Sequence, residues 1–197
     1  MAKKEATKAP AAEAVEMPGE APAEEFSYEL KIPQERVAVL IGEKGATKRE
    51  LEKATHTKLQ ISPEGDVVLT GKDGLLLYTA QDMIRAVGRG FNPKVALLLL
   101  KTDYALELID MKDIAGKSKN TLERIKGRII GTQGRARQGI EHLTDTHISI
   151  YGKTVAIIGE TADVAVARQA LAMLLQGSMH KTVYHFLEKK RKEIAFG

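Results

Sequence analysis

The spacing of apolar and polar residues changes period along the chain, and the changes come in the same order twice. Phe26-Ser-Tyr-Glu-Leu-Lys-Ile32 alternates with the two-residue period of a half-buried strand, which Pro33 ends. Gln34 to Ile41 places Val37, Leu40 and Ile41 on one side of a short helix. Gly42 and Gly45 interrupt it, and a second helix runs from about Ala46 to Thr55 with Leu51 and Ala54 inward. Lys58 to Ser62 and Asp66 to Thr70 read as two strands joined by a turn at Pro63-Glu64-Gly65. Asp73 to Val87 then forms a longer helix with Leu76, Ala80, Met83, Ile84 and Val87 on one face.

After a bridging helix from Phe91 to Thr102, capped by Asn92 with Pro93 at its first position, the series starts again. Tyr104 to Ile114 reads as a strand region and Asn120 to Ile130 as a helix. Gly131-Thr-Gln-Gly134 breaks that helix, and Arg135 to Leu143 resumes it. His147 to Tyr151 and Lys153 to Ile158 are strands, and Thr161 to Leu175 closes the unit as a helix with Thr161 as its N-cap. A last helix, His180 to Ala195, carries Val183, Phe186, Leu187 and Ile194 as a packing stripe.

The two series are copies. Ile41 to Ile61 aligns without a gap on Ile130 to Ile150, and seven of the 21 positions are identical. They are Ile41/Ile130, Gly42/Gly131, Gly45/Gly134, Glu52/Glu141, Thr55/Thr144, Thr57/Thr146 and Ile61/Ile150. Two copies about ninety residues apart argue for two homologous domains rather than a solenoid. The fold class expected is α+β, with each unit running strand-helix-helix-strand-strand-helix. Its boundaries are an acidic Ala/Glu/Pro tail at 1–25, a first domain at 26–90, the bridging helix at 91–103, a second domain at 104–177 and a basic helix at 178–197.

Composition narrows the function. The 197 residues include no Cys, so no disulfide framework, Cys-based zinc site or thiol nucleophile is available. The longest aliphatic run, Val95 to Leu100, is far short of the ~20 residues that span a bilayer. A soluble, cytoplasmic monomer is expected. The net charge of +4 is uneven: three Lys against six Glu leave residues 1–25 at −3, hence +7 on the other 172. The first segment has too few large apolar residues to offset its ordering entropy and reads as a mobile tail.

A Gly-x-x-Gly between two short helices, preceded by Ile and followed by an apolar strand, resembles the KH RNA-binding domain. The resemblance covers nearly all of residues 26–177, and the order of elements is that of the type I variant. One Gly-x-x-Gly is a weak pattern; two copies in register within the right order are strong. The whole arrangement is similar to the archaeal relatives of Partner-of-Nob, small-subunit ribosome-assembly factors with tandem KH domains. That resemblance implies a non-catalytic protein that binds rRNA, or its precursor, near the 3′ end of the small-subunit RNA. It also implies an rRNA-maturation endonuclease or the alpha subunit of initiation factor two as protein partners. Eukaryotic relatives have lost the first Gly-x-x-Gly; Gly42 and Gly45 are both present here, so binding by the first domain stays open.

The chemistry of the loop points the same way. Two Gly residues let the backbone turn sharply and leave no side chain in the path of a sugar-phosphate strand. The helix after the loop offers N–H groups and the positive end of its dipole to a phosphate. Aliphatic side chains beyond it can form a groove for about four unpaired nucleotides. In the second copy the groove candidates are Ile129, Ile130, Ile140, Ile148 and Ile150, with simple core membership the alternative for Ile140 and Ile150. Around the first loop, from Arg36 to Glu50, the net charge is +2, with Ile41, Gly42, Glu43, Lys44, Gly45, Lys48 and Arg49 as secondary contacts. From Arg124 to Gly139 the second loop carries Arg124, Lys126, Arg128, Arg135 and Arg137 with no acid, +5, beside Gly131, Thr132, Gln133 and Gly134. Phosphate contacts dominate affinity for nucleic acid, so the second domain is expected to bind more tightly. Gly139, inside a helix, marks either close approach by RNA or tight packing.

Other chemistries fail. Ala115-Gly-Lys-Ser118 looks like the end of a P-loop, but Met111 stands where the pattern demands Gly. The five His have no metal spacing, no catalytic constellation can be assembled, and no cofactor is expected. Without Trp or aromatic-rich strands, base-stacking RNA modules are disfavoured as well. An adaptor that docks proteins through its KH folds, with RNA secondary, is the competing class.

Overall fold

The computed structural model describes residues 25–116 and 118–196. The tail at 1–25 therefore lies, but for Glu25, outside the described residues, as does Lys117 of the Ala-Gly-Lys-Ser turn. The first unit contains β1 (Phe26–Lys31), α1 (Gln34–Ile41), α2 (Ala46–Thr55), β2 (Lys58–Ile61), β3 (Asp66–Gly71) and α3 (Gly74–Gly88). The second contains β4 (Tyr104–Asp110), α6 (Lys119–Ile130), α7 (Arg135–Thr144), β5 (His147–Tyr151), β6 (Thr154–Glu160) and α8 (Thr161–Leu175). Between them lies α4 (Pro93–Ala96), α5 (Lys112–Ala115) follows β4, and α9 (His180–Phe196) ends the chain. Each unit builds a three-stranded antiparallel sheet with the last strand in the middle, in the orders β1-β3-β2 and β4-β6-β5.

Several elements depart from their sequence-based expectation. The bridging helix of 91–103 is a single α-turn, α4, followed by a 3₁₀ turn at Leu97–Leu100, although Asn92 caps it by accepting from Lys94 N at 3.0 Å. Four consecutive leucines carry no helical period, so packing on two sides sets their geometry. The strand expected to reach Ile114 stops at Asp110, whose carboxylate accepts from Lys112 N at 2.9 Å and turns the chain into α5. On α3 the buried stripe begins at Leu77, with Leu76 half-exposed, and Asp73 caps the helix through the N–H groups of Leu75 and Leu76. Thr161 does not cap α8: it is the first helical residue, and its hydroxyl donates to Asp103 O at 3.0 Å. On α9, Val183 and Leu187 are buried and Phe186 packs against them, while the side chain of Ile194 lies outside the described residues.

The identical positions of the two copies close the same contacts. Thr55 and Thr57 share a buried hydroxyl–hydroxyl bond at 2.7 Å, and Thr144 and Thr146 share one at 2.9 Å. Thr55 and Thr144 are also bonded to the carbonyls of Leu51 and Ile140, each at 2.8 Å. Glu52 accepts from Leu59 N at 2.8 Å and Glu141 from Ile148 N at 2.7 Å, fastening the second helix of each unit to its edge strand.

Two apolar cores meet at β6. Val155 and Ile157 face the core formed with α6, α7, α8 and α9. Ala156 and Ile158 point the other way, into the core of the first unit, where Leu99, Tyr104 and Leu106 join them. Residues 154–159 are therefore all buried, as expected for a strand covered on both faces. Ser149 Oγ donates to Arg89 O at 2.8 Å across the same boundary, and Tyr151 bonds Glu35.

Candidate nucleic-acid interface

Both Gly-x-x-Gly loops have the same backbone. Gly42 and Gly131 sit at φ 71°, ψ 178° and φ 71°, ψ 175°, a region only glycine occupies without strain. A Cβ on Gly131 would stand 2.6 Å from the Cβ of Ala136, and one on Gly42 would collide with Thr47. Gly45 and Gly134 are left-handed, at φ 77° each, as are Lys44 at φ 50° and Gln133 at φ 55° between the glycines. The second loop thus presents Thr132 and Gln133 to solvent and leads directly into the N-terminus of α7, which no side chain caps.

The basic residues divide by what they touch. Arg124 and Arg135 are exposed and have no acidic partner among the described residues; Arg135 reaches only Gln133 Oε1, at 3.5 Å. Lys126 pairs with Glu123 at 3.0 Å, and Arg137 lies 3.4 Å from Glu141. The charge window from 124 to 139 stops one residue short of Glu123 and two short of Glu141, so +5 overstates the charge open to a ligand. Arg128 is spent on structure: its Nη2 donates to Ser178 O at 2.6 Å, and its own carbonyl meets His180 Nε2 at 2.8 Å. Around the first loop, Arg36 fastens α1 to the end of α3 through Val87 O and Phe91 O. Lys48 pairs with Glu52 at 3.8 Å, Arg49 lies over Gly45, and Glu43 and Lys44 are exposed.

The isoleucines separate in the same manner. Ile129 and Ile140 are fully buried and Ile148 is 3% exposed, so these three are core and cannot receive a base. Ile130, 38% exposed and next to Gly131, and the half-buried Ile150 on β5 remain as apolar surface. Ile41 is half-buried in the first copy. Gly139 lies under α9, where an added Cβ would come within 3.1 Å of the Tyr184 ring; its role is packing and not RNA approach. The residues that sequence reasoning missed, His180 and Tyr184, flank the second loop; a glycine inside a helix was the one signal that a large side chain crosses there.

No described helix is long and apolar enough to cross a membrane, and no cluster that could hold a metal occurs among the described residues.

Comparison with known proteins agrees with this architecture. Residues 27–86 match the KH domain model, and residues 105–192 match the second-domain model of Pno1, a eukaryotic-type KH domain of type I. A KH domain-containing protein of Methanocaldococcus jannaschii is 48% identical over 169 residues, 84% of this chain and 74% of that protein. The pre-rRNA-processing protein pno1 of Aspergillus fumigatus is 32% identical over 117 residues, 57% of this chain and 46% of that protein. The chain thus spans about half the length of that relative. A chain in the crystal structure of the a/eIF2alpha–aDim2p–rRNA complex of Pyrococcus horikoshii superposes with a TM-score of 0.80 at 44% identity. That match covers 86% of this chain and 96% of the other. With two type I KH units in register and these relatives, the chain belongs to the tandem KH-domain family that includes Pno1 and aDim2p.

Proposed function

We propose that this protein binds single-stranded RNA, small-subunit rRNA or its precursor, during ribosome assembly, and that the second Gly-x-x-Gly loop is the principal grip. The observation that carries the reading is the second loop: a glycine-only turn delivers a strand to the uncapped N-terminus of α7, beside Arg135 and with no acid in the loop. Gly131 to Gly134 hold the backbone, Arg135 answers its phosphates, and Ile130 and Ile150 receive bases. The first loop contributes less, because Glu43 stands where Thr132 stands in the second. The name of the Aspergillus relative and the rRNA in the Pyrococcus complex support rRNA as the ligand, and the same complex supports the alpha subunit of initiation factor two as a partner. An rRNA-maturation endonuclease is the second partner of this reading. The protein acts in the cytoplasm by holding RNA and does not cut it.

Filter binding of single-stranded RNA against salt tests the reading. Gln133→Asp puts a charge in the phosphate path and is expected to weaken binding far more than Lys44→Asp. Equal losses would overturn the ranking of the domains, and no loss from either would overturn the loop as the site. Divalent-metal-dependent cleavage by the pure protein would overturn the non-catalytic role.

A further inference from the structure

An open cleft of about 540 Å³ lies on the outer side of the second loop, where α6, the loop and α9 meet. Arg124, Arg128, Thr132, Arg135, His180 and Tyr184 line it, and no carboxylate among the described residues does. Its size falls within the roughly 300–1,000 Å³ of small-ligand sites. Two helix N-termini converge there, those of α7 and α9, so the positive ends of two dipoles add to the guanidinium groups. In α9 the Met179 carbonyl takes the N–H groups of Thr182 and Val183, which leaves the first-turn donors of His180 and Lys181 at the end of the helix.

The cleft is rigid. Arg128 and His180 bond reciprocally across it, one to Ser178 O and the other to Arg128 O. A carbonyl only accepts, so His180 Nε2 carries its proton there. Tyr184 is seated on Gly139 and fixes the angle of α9 against α7. The guanidinium left for a ligand belongs to Arg124 on one wall and Arg135 on the other.

The first domain has no counterpart. Under the 89-residue offset of the repeat, Arg124, Arg128, Thr132 and Arg135 correspond to Glu35, Val39, Glu43 and Ala46. Three cations in one copy face two anions in the other, and the chain after α3 supplies α4 rather than a helix like α9.

We infer that this cleft is a phosphate subsite which α9 adds to the second domain, and that it holds a phosphate of the RNA beyond the nucleotides gripped by the loop. The inference rests on the RNA-binding reading for its ligand, while the chemistry of the cleft stands by itself. The phosphate is either an internal diester of a longer strand or a terminal monoester, and the two differ in experiment.

The full chain, ¹⁵N-labelled, is titrated with inorganic phosphate. The amide signals of Thr132, Arg135 and His180 are expected to shift together while those of Glu43 and Ala46 stay in place. In parallel, single-stranded RNA of four and of eight nucleotides, with and without terminal phosphates, is bound to the native chain and to Arg124→Gln. The substitution is expected to weaken the octamer several-fold more than the unphosphorylated tetramer. It should also reduce the octamer's log–log salt slope by about 0.7, the value of one single-strand phosphate contact. A tetramer that becomes equally sensitive once it carries a terminal phosphate identifies the monoester. Absence of phosphate shifts in the cleft, or equal effects of Arg124→Gln on both lengths, would overturn the subsite. An octaglutamate peptide that shifts the same amides when the octamer does not would overturn RNA as its occupant. Failure of the native chain to bind any RNA would sink the proposed function instead, and the phosphate titration would still decide the cleft.

Discussion

Replacing Gly131 by Ala asks whether the two glycines of the loop do the same work. At φ 71°, ψ 175° an alanine carries about 1–3 kcal/mol of backbone strain. Its Cβ would also stand 2.6 Å from the Ala136 Cβ and 2.8 Å from the Ala136 N, an overpacking that costs about 1–3 kcal/mol more. Less the roughly 0.4–1 kcal/mol that a Gly→Ala change regains from the unfolded chain, these give a loss of about 1–5.6 kcal/mol. Gly134 differs. It is plainly left-handed at φ 77°, ψ 6°, and the nearest atom to an added Cβ is Gln138 Nε2 at 3.9 Å. Gly134→Ala costs about 1–2 kcal/mol for the left-handed backbone and regains the same roughly 0.4–1 kcal/mol, for a net loss of about 0–1.6 kcal/mol. For a chain of this size each kcal/mol moves Tm by about 2–4 °C. Thermal unfolding by circular dichroism should therefore show Gly131→Ala lowering Tm several-fold more than Gly134→Ala, by about 7–13 °C against about 2–3 °C at the centres of the two ranges. Gly42→Ala, with the same geometry and Thr47 in the way, should match Gly131→Ala in stability but not in its effect on RNA binding. Equal Tm losses at Gly131 and Gly134 would refute the steric argument.

Two further outcomes follow from buried and half-buried polar groups. Thr144→Val leaves the Thr146 hydroxyl without its buried partner and should cost about 1–3 kcal/mol in urea unfolding, whereas Thr144→Val with Thr146→Val should cost less than the sum of the single changes. Additive losses would show that the pair is not coupled. Asp82 has its carboxyl held above the usual carboxylate range by desolvation, only partly offset by Arg85 at 3.4 Å. The folded state therefore binds the proton more tightly than the unfolded one, and stability falls as pH rises from the ordinary Asp value through the raised one. Asp82→Asn should be the more stable form at neutral pH, with its advantage lost in acid; an advantage that persists below the carboxylate range would contradict this.

Much of the fold was legible because the chain states it twice. Gly42/Gly131, Glu52/Glu141 and Thr55/Thr144 repeat because each closes a local contact that the backbone cannot do without. What resisted reading depended on partners distant in sequence. Arg128 looks like a phosphate ligand until Ser178, fifty residues on, accepts from it. Ile129 and Ile148 fit an aliphatic groove by type, and only the closing of the second core around α6 and β5 buries them. Leu97 to Leu100, apolar all round, gave no face to choose between, and Asp110 ends β4 through a side-chain bond that alternation does not encode. The loop that the sequence singles out does lie beside exposed guanidinium groups, while the residues open to a ligand there are fewer than the charge pattern suggested.

The strand β6 serves as a wall for both cores, and this bears on how a ligand is measured out. Domains joined by a tether lose freedom when both engage one strand, and an effective concentration describes that loss. Here Ala156 and Ile158 are as deeply buried in the first unit as Val155 and Ile157 are in the second, so reorienting one unit would expose apolar surface. An apolar boundary of this kind removes the hinge motion expected of loosely packed domains. The two Gly-x-x-Gly loops are therefore held like the jaws of a caliper. A strand that met both loops would have to match a spacing set in advance, so that the protein rather than the RNA would fix the length between them.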